Sequence, residues 1–239
     1  MFRLLIQKLK QNPKKIVFTE GNDERVLEAA ARLMSGTFLT PILIGDPAEI
    51  HQVAEEACLN IRDAQILQPS TYDRMDAMVA KMVELRRGKM TEEQCRAALQ
   101  RGNYFGTMLV AMGEADCLLG GATYSTADTV RPALQLIKTR PGNKIVSSCF
   151  ILVRPFATGG NQVLAMGDCA INIDPSEDDL VEITQEVVNC ARRFGVDPKV
   201  AMLSYSTLGS GSGPMVDKMR NACDKLKALN LDFPVDGEF

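Results

Sequence analysis

The stretch KIVFTEGNDERVLEAAARLMSGTFLTPILIG, residues 15–45, decides the fold. Ile16-Val17-Phe18 is a short β-branched and aromatic run of the kind that forms a buried strand. From Asp23 to Met34 the apolar residues Val26, Leu27, Ala30, Leu33 and Met34 recur with the spacing of one helix face. Pro41-Ile42-Leu43-Ile44-Gly45 reads as a second strand, and Pro47 stands where the next helix starts. Strand, helix and strand in this order predict a βαβ unit, hence parallel strands covered by helices.

The same rhythm continues outward. Helical patterns over 73–87, over a segment opened by Thr91-x-x-Gln94, and over 104–112 follow one another as a helical insertion. Residues 116–120 resume the strands, 127–138 the helices, and 144–153 read as a long apolar strand. Gly159-Gly160-Asn161 reads as a hairpin turn before a strand over 163–170, so a mixed sheet is expected from there on. Ser176-x-x-Asp179 opens the longest helical pattern, which runs to about Phe194; a strand over 200–205, a Ser/Gly-rich loop and a helix to about Leu229 complete the unit. The expected fold is two-domain, three-layer α/β/α with mostly parallel sheets, the domains covering 1–143 and 144–239. Residues 233–239 read as a strand with nothing after it to cover its end, so an interruption of the second domain is expected there.

Composition narrows the function. Over 239 residues Lys+Arg number 27 against 30 Asp+Glu, a net charge of -3, which lacks the basic excess that nucleic-acid binding requires. No apolar run approaches the ~20 residues of a membrane helix. The N-terminus shows no secretory pattern. The seven cysteines are scattered and the one histidine is His51, so free thiols in the cytoplasm are expected and a metal site is not. The same scarcity of histidine disfavours Ser-His and Cys-His nucleophiles, and His51 reads as a solvated helix residue.

Three segments carry candidate chemistry. The Ser/Gly loop from Ser204 to Gly213 lies between a strand and a helix, where helix amides and the hydroxyls of Ser206, Thr207, Ser210 and Ser212 suit an anion. Its Gly-x-Gly-x-Gly pattern with Asp236 after it leaves open a nicotinamide dinucleotide site, and a plain connection as well. The run Thr123 to Pro132 repeats the arrangement: Ser125 and Asp128 suit a helix cap, while Arg131 near a helix N-terminus opposes the dipole and points to an anionic partner. Arg86 and Arg87 close a helix with the apolar face Met75, Met78, Val79, Met82 and Leu85, where basic residues ordinarily complement the dipole.

Taken together, Val83-Glu84-Leu85-Arg86, Ser125 to Ala133, Gly167-Asp168-Cys169-Ala170-Ile171-Asn172 and Lys199 to Thr207 resemble the phosphate acetyltransferase (phosphotransacetylase) family, in order along the whole chain. The resemblance implies two α/β domains with the active site in the cleft between them, usually as a homodimer. It implies reversible acetyl transfer between coenzyme A and inorganic phosphate, with acetyl phosphate as the other substrate and no permanently bound cofactor. Arg86 and Arg131 match positions that bind coenzyme A, and Ser125, Thr126, Thr129, Arg131, Ser206 and Thr207 match substrate-binding walls. The catalytic Ser, Arg and Asp of the family fall in a segment beyond Phe239, so no catalytic residue is assigned here, and Tyr124 stands where some relatives have histidine. Phosphate butyryltransferases and regulatory acyl-CoA-binding domains of the same fold are the alternatives.

Overall fold

The computed structural model describes residues 2–156 and 160–239, which divide into two compact units, Phe2–Lys138 and Thr139–Phe239. The N-terminal unit runs α1 (Phe2–Gln11), β1 (Lys14–Phe18), α2 (Glu24–Gly36), β2 (Leu39–Ile44), α3 (Pro47–Glu56), β3 (Gln65–Leu67), α4 (Met75–Arg86), α5 (Glu92–Ala98), α6 (Gly102–Ala111), β4 (Cys117–Leu119) and α7 (Thr126–Leu136). Its four strands are all parallel, in the order β3-β2-β1-β4, with Ile16 opposite both Pro41 and Cys117.

A parallel sheet is buried on both faces, and the alternation along β1 and β2 meets that demand. Val17, Ile42 and Ile44 pack on one face with Met78, Val79 and Met82 of α4 and Phe105 and Met108 of α6. Phe18 and Leu43 pack on the other with Leu27 and Ala30 of α2 and Ile50 and Ala54 of α3. The result is the three-layer α/β/α arrangement that residues 15–45 predict.

Helix starts follow local chemistry. Asp23 and Asp46 accept amide hydrogen bonds at the first turns of α2 and α3, and Thr91 with Gln94 forms a capping box on α5. The apolar face expected on α4 is the buried one. His51 is exposed on α3.

The C-terminal unit runs β5 (Cys149–Pro155), β6 (Asn161–Gly167), α8 (Glu177–Arg193), β7 (Val200–Met202), α9 (Pro214–Ala228) and β8 (Val235–Gly237). Strands β5 and β6 form an antiparallel ribbon from Cys149↔Gly167 to Pro155↔Asn161, as a hairpin requires; of its expected turn, Gly159 lies outside the described residues. Strands β7 and β8 pair in parallel, and no ladder joins the two pairs among the described residues. An apolar groove of about 530 Å³ lies between β6, α8 and β7, lined by Val163, Ile183, Val187 and Met202 among others.

The mixed pairing expected after the hairpin is present, one ladder antiparallel and one parallel. Two strand bounds are corrected in this unit. The strand expected over 144–153 begins only at Cys149: the amides of Lys144 and Ile145 donate to Glu182, and the carbonyl of Val146 accepts from Asn172, so side chains replace the ladder there. The strand expected over 200–205 ends at Met202, where the Ser204 amide turns to the carbonyl of Phe239.

Phe105 is fully buried and meets Tyr72 edge-on at 5.1 Å between ring centroids. Replacing it by alanine opens a cavity at the centre of the N-terminal unit. Phe105→Ala is expected to cost about 3–5 kcal/mol, seen as a lowered urea midpoint for that unit.

Candidate functional site

The carboxyl ends of β1 and β4 meet at a turn with a carboxylate at its centre. Glu20, two residues past the end of β1, is only 6% exposed. Its Oε2 accepts the amides of Gly121 at 2.8 Å and Ala122 at 3.1 Å. Its Oε1 accepts the amide of Thr123, the Thr123 hydroxyl at 2.8 Å and the amide of Tyr124 at 2.9 Å. Successive amides aimed at one point form an anion nest, and here the anion belongs to the protein. Arg25 Nη2 fixes the outer side of the same turn at the Ala122 carbonyl, 2.9 Å. A Cβ at Gly120 would lie 2.4 Å from Thr19 Oγ1, so the chain passes this close to β1 only with glycine there.

Burial alone would raise the Glu20 carboxyl. The hydrogen bonds from Thr123, Tyr124 and Gly121 outweigh it and hold the group at about 2, against an ordinary value of 4.5.

Helix α7 starts directly after this turn. Ser125 is its cap: Oγ accepts the Asp128 amide at 3.1 Å and donates to Asp128 Oδ2 at 2.8 Å. Thr129 Oγ1 donates to the Ser125 carbonyl, and Thr126 is exposed in the first turn. Two guanidiniums flank Asp128, Arg101 Nη2 at 3.5 Å and Arg131 Nη1 at 3.9 Å from Oδ1, both with half their side-chain surface open to solvent. The Ser125 hydroxyl, with Arg101 and Arg131, lowers the Asp128 carboxyl. One carboxylate and two guanidiniums leave a net positive corner at a helix N-terminus, which suits an anion.

Arg86 lies half-buried, with Nη1 donating to the Gln135 carbonyl at 3.4 Å. Gln135 follows Arg131 by four residues, one helix turn along α7, so the N-terminal unit brings Arg86, Arg131, Ser125, Thr126 and Thr129 to a single helix. Ser206 and Thr207 belong to the C-terminal unit.

There the Ser/Gly loop is gripped from inside. Glu238, 1% exposed, accepts Ser206 Oγ at 3.1 Å, the Gly209 amide at 2.8 Å and Arg220 through Nε at 3.0 Å and Nη2 at 3.2 Å. The Arg220 guanidinium and the Gly209 amide hold its carboxyl at about 2 despite burial, with Ser206 adding to them. The amides from Ser206 to Gly211 are all committed within the loop or to Glu238. The loop thus closes on Glu238: Ser206 is buried with it, while Thr207, Ser210 and Ser212 are exposed. Beyond β8, which pairs with β7 alone, Glu238 is enclosed and the Phe239 amide donates to the Met202 carbonyl. Asp236, the candidate ribose acid of a dinucleotide site, is paired with Lys227 at 2.7 Å.

Sequence reading missed Glu20, Arg25, Arg101, Arg220 and Glu238. A signal existed for the two glutamates, each an acid within two residues of the carboxyl end of a strand and beside glycine, in Phe18-Thr19-Glu20-Gly21 and Val235-Asp236-Gly237-Glu238.

Fold and side chains together define an α/β protein with guanidiniums and hydroxyls gathered at the carboxyl ends of a parallel sheet, the place where such sheets meet small ligands. The family described as Phosphate acetyl/butaryl transferase matches residues 1–239, and the chain belongs to that family of transferases. It is 46% identical to "Phosphate acetyltransferase" of Bacillus subtilis (strain 168) over 239 residues, all of this chain and 72% of the relative. It is 42% identical to the protein of the same description from Staphylococcus aureus (strain Mu50 / ATCC 700699), with 100% and 73% covered. Among solved structures, a phosphotransacetylase from Streptococcus pyogenes superposes with a TM-score of 0.89 at 44% identity, over 100% of this chain and 73% of that one. EutD phosphotransacetylase from Staphylococcus aureus superposes with a TM-score of 0.86 at 41% identity, over 99% and 72%.

Because the Glu20 carboxyl is lowered on folding, its stabilisation is complete above pH 4.5 and drains away as the pH falls towards 2. Its share is on the order of 3 kcal/mol. Glu20→Gln should lose that share at neutral pH and show a flatter pH dependence than the parent between pH 4.5 and 2. Urea unfolding at a series of pH values measures both.

Proposed function

We propose that this chain handles the substrates of reversible acetyl transfer between coenzyme A and inorganic phosphate, acetyl-CoA + phosphate giving CoA + acetyl phosphate. The observation that carries the reading is the alignment of the entire chain at 46% identity with a relative described as a phosphate acetyltransferase. The chemistry of α7 supports it. Coenzyme A carries several phosphates and its partner substrates are anions, so the exposed guanidiniums of Arg101 and Arg131 are the groups to meet them, with the Thr126 hydroxyl beside them. Arg86, seated against the same helix, extends the positive surface. Ser125 and Thr129 shape the first turn, and Thr207 is an exposed hydroxyl of the C-terminal unit.

In the direction of acetyl-CoA synthesis the thiol sulfur bonds to the carbonyl carbon of acetyl phosphate, the carbon–oxygen bond to phosphate breaks, and the thiol proton passes to a base. A thiol with a pKa of about 8.5 is mostly protonated at neutral pH, so the step requires that base and a donor for the developing oxyanion. Neither role is assigned to a residue of this chain. The relatives carry the acetyl name, which favours acetyl over butyryl transfer and over a regulatory acyl-CoA domain. The Asp236–Lys227 pair speaks against a dinucleotide site.

The test is calorimetric titration of the chain with coenzyme A and with NAD, beside a coupled assay for acetyl-CoA formation from acetyl phosphate. Binding of coenzyme A without NAD supports the reading; binding of NAD alone overturns it. Arg131→Ala is expected to weaken coenzyme A binding about ten- to hundred-fold with an unchanged melting curve, because the side chain is exposed.

A cytoplasmic homodimer belongs to the same proposal. All seven cysteines are free thiols, and among the described residues no helix is long and apolar enough to cross a membrane. On one face of the β5–β6 ribbon the cross-strand pairs Phe150↔Met166 and Leu152↔Leu164 are exposed, a contiguous apolar patch suited to burial against a second copy. Sedimentation should find a dimer for the parent chain, and Leu152→Lys should shift it to monomer.

A further inference from the structure

Amide nests at the start of a helix can bind an anionic ligand, and the one ahead of α7 is full. Four consecutive amides, Gly121 to Tyr124, and the Thr123 hydroxyl converge on the two oxygens of Glu20. Glu20 reaches them across about a hundred residues of sequence, and little of it touches solvent. A substrate phosphate approaching the start of α7 therefore finds the four amides of the preceding turn taken by Glu20 and the Asp128 amide taken by Ser125. What remains open beside Asp128 is the pair of guanidiniums, Arg101 from the start of α6 at 3.5 Å and Arg131 from α7 at 3.9 Å, next to the first amides of α7.

We propose that Glu20 is a positioning residue, a built-in anion that occupies the Gly121–Tyr124 nest and so directs the phosphate of the substrate to the side chains of Arg101 and Arg131. The proposal rests on the acetyl-transfer reading only for the identity of the bound anion. In its favour, the nest is matched to a carboxylate already in place, and loss of that carboxylate would leave an empty site of the same polarity and size next to the guanidiniums. Substrate phosphate would then be drawn into the wall of the site instead of lying on its surface. Arg101 is the second guanidinium in this scheme, with Asp128 as the counter-charge that keeps both arginines in place until the anion arrives.

The deleted atoms in Glu20→Ala, a methylene and a carboxylate, have the shape and charge of acetate. This makes chemical rescue the test, read by NMR from the amide signals of Gly121 to Tyr124 and by calorimetry with coenzyme A. In the parent chain, inorganic phosphate should shift signals around Arg101 and Arg131 and leave the four amides unmoved. In Glu20→Ala, phosphate should shift the four amides directly, coenzyme A affinity should fall about tenfold or more, and saturating acetate should restore the parent pattern and affinity where chloride at equal ionic strength does not. Glu20→Gln, whose side chain fills the space without the charge, should be weakened and not rescued.

If Glu20→Ala folds only with acetate present, saturable acetate-dependent folding that chloride does not reproduce gives the same support. Phosphate shifting the four amides in the parent chain overturns the proposal. So does a folded Glu20→Ala whose four amides respond to neither acetate nor phosphate, since Glu20 would then be merely structural. Failure of the acetyl-transfer reading is a separate outcome: no coenzyme A binding by the parent chain, with the amide response of Glu20→Ala to acetate and phosphate still deciding the role of Glu20.

Discussion

A carboxylate taken out of water must either be protonated or be surrounded by donors, and the hydrogen bonds that keep it charged are worth more in that setting than at the surface. Glu20 takes the second course, and much of the N-terminal unit depends on it. The turn it ligates joins β4 to α7, so the carboxylate fixes where α7 begins and which way Ser125, Thr129 and Arg131 face. It also ties β1 to a turn that follows β4, reinforcing the pairing of two strands whose own ladder is only three residues long. Glu238 performs the same service for the loop between β7 and α9, with Arg220 of α9 as an added partner. Both units thus rely on one internal anion placed just beyond a strand.

That device is needed because of the architecture. Parallel strands end together at one edge, and the loops that leave this edge are polar, rich in glycine and hydroxyl groups, and held by little apolar packing. Val17, Ile42 and Ile44 on one face and Phe18 and Leu43 on the other secure the sheet itself. They end where the chain turns towards solvent. A buried acid supplies, for a few hydrogen bonds, the order that packing cannot give to such a loop.

The parts legible in the sequence are those governed by neighbours in the chain. Residues 15–45 show their strands and helix by period alone, the acids at 23 and 46 mark helix starts, and the apolar face of α4 is the face that is buried. The three-residue β3 carries no such signal. The site was less legible for a different reason. Glu20 acts on residues 121–124, and Glu238 on Ser206, Gly209 and Arg220, across separations that periodicity cannot see. A Ser/Gly loop also looks the same in sequence whether its amides point outward to a ligand or inward to a side chain. The distinction lies in backbone geometry, such as the left-handed conformations at Leu208 and Gly209.

Arg86 shows how the two kinds of information combine. As the last residue of α4 it fits the ordinary pattern of a cation at a helix C-terminus, which explains its presence without any ligand. Its guanidinium, however, reaches the Gln135 carbonyl on a different helix, and its charge opposes the effect of burial on the Cys95 thiol. An arginine half-buried in this way is expensive to keep for dipole compensation alone. Its position one turn beyond Arg131 along α7 gives it a use: the two cations, with Arg101 near the helix start, make α7 a helix with positive charge along its length. A multiply charged substrate can span such a row, whereas a single inorganic phosphate needs only one end of it.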